Sequence, residues 1–437
     1  MPKLSRNQLI IVSIGGLVVL FLILVFLGVI PGLRPATQTK LKAALEFWGT
    51  YDQRNAYQNV IDQFQALNSG IRINYRQFDP NTYENELINA LAASKGPDIF
   101  MIHNTWLPKH YDKISPLPSE KLNFSAYTNQ LFPEVVAKDF TANNLIYAFP
   151  LSVDTLTLVY NKDILNQSGI ALTPATWAEF QNIIPALRIV DKTGKISRAA
   201  AAIGGSDKSI NRATDLLSLL MLQNGVQMVD SDFTRANFSQ TVTGGASPGL
   251  NALNFYTNFT NPVNSNYTWN DSLHYSLDAF AEGFTAIIFN YAYQLSYIKT
   301  KNPFLNFGIA PMPQIDSFNP VNYANYWGYA VSNKSSYSNL AWDFILLLTT
   351  NQANAENYLG QTQKPPALRA LIQKYINDSA LGVFAKQALT AKSWPQIDNN
   401  QIETIFSNMI ESVINGRQTA KAALNQAEAQ ITQLIKQ

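Results

Sequence analysis

Apolar and polar positions fall into blocks along the chain, and the first block is the most uniform. Leu9 to Ile30 reads LIIVSIGGLVVLFLILVFLGVI, 22 residues without a charge. As a helix it reaches ~33 Å, enough to cross a bilayer. Lys3 and Arg6 precede it, and it ends in Ile30-Pro31-Gly32-Leu33-Arg34, which lacks the small residues of a cleavage site. The pattern predicts a short cytoplasmic head over 1–8, an uncleaved transmembrane anchor over 9–30 and a polar tether over 31–43. Charge orients the span only weakly, because Arg34, Lys40 and Lys42 on the far side offset Lys3 and Arg6.

After the tether the apolar period switches repeatedly between two and three to four. Residues 44–48 read as a strand. Tyr57, Val60, Ile61, Phe64 and Leu67 fall on one helix face, and Asn68-Ser69-Gly70 ends that helix. Ile71, Ile73 and Tyr75 alternate as a strand. Tyr83, Leu87, Ile88 and Leu91 make a second amphipathic helix, and 98–102 is an apolar strand. Strand, helix, strand, helix, strand within about 60 residues predicts an α/β fold with crossover helices. Further strands are expected at 155–160, 285–289 and 307–310, and helices from Thr176 and over 215–222. Ala423, Leu424, Ala427, Ile431 and Leu434 make the last helix amphipathic. The stretch 230–270, rich in Asn, Ser, Thr and Gly, reads as loop.

Composition narrows the function. A chain of 437 residues exceeds one hydrophobic core, so two lobes are expected. Net charge is +2, with no clustered Lys/Arg face, which argues against a nucleic-acid partner. The absence of cysteine removes disulfides, thiolate metal sites and catalytic thiols. His103, His110 and His274 are too scattered for a metal site and read as surface or core residues, so no metal or cofactor is expected. Gly245-Ala246-Ser247-Pro248-Gly249 fits a nucleophile elbow in form only. The oxyanion hole needs the N–H after the serine, and Pro248 has none. Eight N-x-S/T sequons, at Asn123, Asn166, Asn237, Asn258, Asn266, Asn270, Asn333 and Asn377, match what an Asn-rich surface gives by chance.

The stretch YANYWGYAV, Tyr323 to Val331, sets aromatic rings among small and polar residues with no charge. Trp327 followed by Gly328 suits either core packing or a platform for a flat ligand.

Several segments in order resemble a known family. They are Ser94-Lys95-Gly96-Pro97-Asp98-Ile99; Ile146-Tyr147-Ala148-Phe149-Pro150 with Asp154 and Leu158-Val159-Tyr160-Asn161-Lys162-Asp163; Thr173-Pro174-Ala175-Thr176-Trp177-Ala178-Glu179-Phe180; Phe280-Ala281-Glu282-Gly283-Phe284-Thr285-Ala286; and Ala341-Trp342-Asp343-Phe344. Over 44–437 the chain resembles the extracellular solute-binding proteins of bacterial ABC importers, in the maltose-binding-protein-like group that takes sugars and oligosaccharides. That resemblance implies two α/β lobes joined by three crossings, near Val153–Leu156, Gly308–Pro313 and Phe344–Thr350. Lobe 1 would be 44–152 plus 312–345, and lobe 2 would be 155–308 plus 350–437. It also implies a carbohydrate ligand in the interlobe cleft, ABC permease subunits as partners, and a binding domain on the extracytoplasmic face of the cell membrane. Relatives carry a cleaved signal or a lipid-modified cysteine, and this sequence has neither. The span 9–30, embedded in the bilayer, would replace them.

Sugars present C–H faces to aromatic rings and hydroxyl edges to planar polar groups. On the resemblance, the expected ligand-binding residues are Trp48, Tyr51, Asp52, Asn104, Trp106, Asp154, Asn224, Tyr291, Tyr293, Tyr326, Trp327 and Lys364, with Trp394 at the rim. No catalytic residue is expected. A surface glycosidase would need two flanking carboxylates, for which Asp52 and Asp154 are the candidates. A ligand sensor on the same fold remains an open alternative.

Overall fold

The computed structural model describes residues 5–26 and 42–436. Residues 1–4 of the head, the last four residues of the apolar run, 27–30, and the tether up to residue 41 lie outside them, while Ala43, expected in the tether, already starts the first strand. The first 18 residues of that run, 9–26, belong to the helix Arg6–Phe26. The side chains of Ile10, Val12, Ile14, Leu17, Leu20 and Phe21 on this helix are exposed. Among the described residues no helix is long and apolar enough to cross a membrane.

The rest forms two α/β lobes, each with its own sheet and core. In the first, strand Ala43–Thr50 runs parallel to Ile71–Phe78 on one side and to Ile99–His103 on the other. Trp327–Ser332 then joins antiparallel, with Trp327 opposite His103. In the second, Thr285–Asn290 pairs parallel with Ile196–Ala201 and antiparallel with Thr157–Asn161, and Phe307–Ala310 lies outside that strand. The βα units form where the period predicts them. Val60, Ile61 and Phe64 turn the helix Gln58–Leu67 onto the first sheet, and Thr176 with Glu179 closes a capping box at the helix Trp177–Leu187.

The two cores show where the chain changes lobe. Val153 belongs to the first core and Leu156 to the second; Tyr323 to the second and Ala324 to the first; Ala391 to the first and Trp394 to the second. All three crossings meet in one three-stranded sheet: Asn322–Asn325 lies between Asp154–Thr155 and Ala391–Lys392.

Two expected crossings are therefore displaced, from 308–313 to 323–324 and from 344–350 to 391–394. The helices Gln352–Thr362, Arg369–Tyr375 and Gly382–Ala388, expected in lobe 2, pack in the first core through Ala355, Tyr358, Leu359, Leu371, Ile372 and Ala385. Burial of these faces against the first sheet decides their lobe, and sequence spacing did not reveal it.

The stretch 230–270 is not all loop, since it contains the helix Pro248–Thr257. Ser247 and Pro248 of the formal nucleophile motif are its N-cap and first residue, a favoured place for proline. Gly249 is there for packing, because a Cβ on it would fall 1.9 Å from the Phe238 carbonyl oxygen.

Candidate functional site

A cavity of about 540 Å³ opens between the lobes. Tyr51, Asn81, Glu84, Trp106, Trp327 and Lys364 reach it from the first lobe, and Arg212, Tyr293, Asn399, Asn400 and Glu403 from the second, with Asp154 at a crossing. Most of these residues sit at strand ends or helix starts. His103 ends the strand Ile99–His103 and Trp106 follows it, Tyr293 follows Thr285–Asn290, and Arg212 precedes the helix Ala213–Gln223. Ligands of open α/β sheets bind in such places.

Trp327 is the hub of the aromatic wall. Its half-buried ring meets Trp106 at 5.0 Å and 75°, His103 at 5.3 Å, Tyr51 at 5.9 Å and Tyr83 at 6.0 Å between centroids. Side chains alternate across a strand, so Tyr326 behaves oppositely. Tyr326 borders the cavity, but its ring is buried against Phe140 and its hydroxyl donates to Asp139 at 2.7 Å. Gly328 gives room to the core and not to a ligand, since a Cβ there would meet Phe140 at 2.6 Å. On the second lobe Tyr293 stacks on Tyr291 at 5.8 Å and 14°.

Of the residues expected at the site, Tyr51, Trp106, Asp154, Tyr293, Tyr326, Trp327 and Lys364 line the cavity. Trp48, Asp52, Asn104, Asn224 and Tyr291 are not among its lining residues. Trp48 packs on Phe78 with Arg76 over its ring. Asp52 is buried and receives Lys364 at 2.7 Å on each oxygen, with Tyr358 at 2.6 Å. Asn104 donates to Asp139 at 2.9 Å. Asn224 caps its own helix by donating to the Leu220 carbonyl at 2.8 Å. The Tyr291 hydroxyl donates to Asp215 at 2.6 Å. Trp394 is not at the rim; it is buried in the second core, stacked near Phe406.

Sequence reasoning missed Glu84, His103, Arg212, Asn399 and Glu403. Each sits in a stretch without a motif, and only the fold brings them together. His103 alone offered a signal, as a polar residue ending a buried strand.

The charged groups of the cavity are tied to partners within the protein. Arg212 donates to both oxygens of Asp215 at 2.8 Å and to Glu403 at 3.0 Å. Glu84 accepts from Lys109 at 3.0 Å and from His110 at 2.9 Å, and these contacts hold its carboxyl low against the opposing effect of burial. Asp154 accepts the backbone N–H groups of Thr155, Ala292 and Tyr293 at 2.9–3.2 Å. Burial pushes its carboxyl up to about 7, and the three donors pull it back. Burial lowers His103 to about 4, so the imidazole is neutral at pH 7. Its Nε2 faces the Asn325 side-chain oxygen at 3.2 Å, while Nδ1 lies 3.3 Å from Asn399 Nδ2 across the lobe boundary. Among the described residues no group of carboxylates and imidazoles could hold a metal ion.

Comparison with known proteins agrees with this architecture. Residues 49–355 match the family profile of bacterial extracellular solute-binding proteins. A protein of Brucella abortus (strain 2308), named simply as a binding protein, is 23% identical over 397 residues, covering 87% of this chain and 90% of its own. The galactooligosaccharide-binding protein of Bacillus subtilis (strain 168) is 21% identical over 357 residues, covering 77% and 76%. The crystal structure of the sugar-binding protein MalE from Xanthomonas citri superposes with a TM-score of 0.74 at 20% identity, covering 90% of this chain and 98% of that one. With the two lobes, the three crossings and a family match over more than half its length, the chain belongs to the bacterial extracellular solute-binding protein family.

Proposed function

We propose that this protein captures a carbohydrate in the interlobe cavity and delivers it unchanged to the permease of an ABC importer, while the segment Leu9–Ile30 holds it at the outer face of the cell membrane. The observation that carries the reading is the cavity wall. Trp106, Trp327, Tyr51 and Tyr293 supply ring faces or edges, and Asn81, Asn325, Asn399 and Asn400 supply planar amides. That mixture matches the alternating C–H faces and hydroxyl edges of a sugar. Buried hydroxyls without partners cost about 1–3 kcal/mol each, so such a wall favours ligands that satisfy it. Relatives named for galactooligosaccharide and sugar binding point the same way. The cavity carboxylates are all held by fixed donors, which suits binding better than general acid–base work.

For the anchor, the support is an apolar helix on which Ile10, Val12, Ile14, Leu17, Leu20 and Phe21 are exposed; a bilayer would bury them. Tethering would raise the effective concentration beside the permease.

A thermal-shift and calorimetric screen of the protein against neutral oligosaccharides tests the ligand class. A saturable stabilisation by at least one sugar, recovered intact afterwards, is expected. No response to any sugar, or release of a shorter product, overturns the reading. Separately, full-length protein should resist alkaline extraction from membranes while a chain lacking residues 1–30 is released. Release of both would remove the anchor.

A further inference from the structure

The cavity's charges do not stand free for a charged ligand. Lys364 is closed by Asp52, Glu84 by Lys109 and His110, and Arg212 by Asp215 and Glu403. Asp154 is closed by three backbone donors. Arg212 is held most firmly. It is a non-glycine residue at φ 61, a conformation L side chains adopt rarely and chiefly where structure or function imposes it. Its Nε and Nη2 are used by the two carboxylates. Among the described residues its Nη1 makes no hydrogen bond, so two N–H donors on a residue lining the cavity remain for a ligand.

The charge balance around Arg212 is also lopsided. Two carboxylates face one guanidinium. Nearby, burial pushes Asp207 up to about 7, and Glu403 and Asp215 push it the same way. An anion entering here would meet a guanidinium already over-neutralised. A cation would find its carboxylates committed to Arg212, Lys109 and Lys364.

We propose that the cavity selects uncharged carbohydrates over uronates and amino sugars, and that Arg212, clamped between Asp215 and Glu403, reads a ligand hydroxyl through Nη1. This rests on the carbohydrate reading above. A guanidinium whose charge is satisfied from behind still donates, and it does so to a neutral acceptor without demanding a counter-ion. A buried donor left unpaired penalises a ligand that lacks the acceptor.

The test is calorimetry on the full-length protein in detergent micelles at pH 6. The probes are neutral gluco-, galacto- and manno-oligosaccharides, with their uronate and de-N-acetylated amino counterparts of equal length. Neutral probes should bind, with charged counterparts at least 100-fold weaker and uronates the weakest. A uronate or amino sugar that binds as tightly as its neutral counterpart overturns the selectivity and leaves the carbohydrate reading standing. If no probe of any charge binds, the carbohydrate reading fails and takes this inference with it.

Arg212→Lys keeps a cation between Asp215 and Glu403 but removes the fork. It should lower affinity for the best neutral probe about 10- to 100-fold. Deoxygenation of the contacted hydroxyl, costly to the native protein, should cost this variant nothing further. If Arg212→Lys folds with unchanged affinity, or keeps its sensitivity to every deoxy analogue, Arg212 does not read the ligand. Should Arg212→Lys fail to fold, Arg212→Gln paired with Glu403→Gln removes charge on both sides, and the same deoxy comparison decides.

Discussion

At Trp327 packing and recognition compete within one side chain. Its ring is half-buried and borders both the cavity and the aromatic residues behind it. Trp327→Ala should weaken carbohydrate binding about 5- to 150-fold, the loss of roughly 1–3 kcal/mol of stacking. Its stability cost should stay below the ~3–5 kcal/mol of a fully buried aromatic. Calorimetry and chemical denaturation of the same variant give both numbers, and a full core cost with affinity intact would remove the platform role. The neighbouring Gly328→Ala should do the reverse. The new methyl would press on Phe140 and Ala148 and cost about 1–3 kcal/mol of stability, while folded protein binds normally. His103 gives a pH signature. Its pKa falls from 6.5 to about 4 on folding, so between those values the unfolded chain binds more protons. Its contribution is complete above pH 6.5 and is lost as pH falls towards 4, a change of up to about 3 kcal/mol. His103→Gln should flatten that part of the stability profile; an unchanged profile would show that His103 is not the group responsible. The two roles of Trp327 and Gly328 were undecided in the sequence, because a period of two tells which residues share a face but not which face meets solvent.

The elements near the three crossings are bound by amides. Gln387, on the helix Gly382–Ala388, donates to the Thr155 hydroxyl at 3.0 Å and the Leu156 carbonyl at 2.9 Å, and accepts from the Met312 N–H at 2.8 Å. One buried side chain thus ties the first crossing to the segment leading into the second. Gln387→Leu should leave those groups unpaired and cost about 1–3 kcal/mol for each one that stays dry. A denaturation midpoint indistinguishable from the native protein would show that the contacts are dispensable. Elements with strong periods were legible: the first three strands and two helices lie where apolar spacing puts them. The helices Gln352–Thr362, Arg369–Tyr375 and Gly382–Ala388 were not read from the sequence, and the resemblance put their stretch in the wrong lobe. Their apolar faces fit any core, and the decisive contact, Tyr358 reaching Asp52 some three hundred residues earlier, leaves no local trace. For the same reason Arg212 and Glu403 were invisible as partners, while aromatic runs such as Tyr291–Tyr293 advertised themselves by composition.

For the whole molecule, the three-stranded sheet at the crossings has a consequence for how the chain is made. The first core needs residues from Leu45 to Val153 and again from Ala324 to Ala391, and the second needs Leu156 to Tyr323 and again Trp394 to Leu434. Neither lobe is a continuous stretch that could fold as it emerges. The first strand is made about 280 residues ahead of the Trp327–Ser332 strand that completes its sheet. Apolar strands with unpaired edges invite aggregation while they wait. The making of this protein is thus a problem of timing: each half stays unfinished until a stretch from far down the chain arrives to close it, the first core at Ala391 and the second near the last turn of helix.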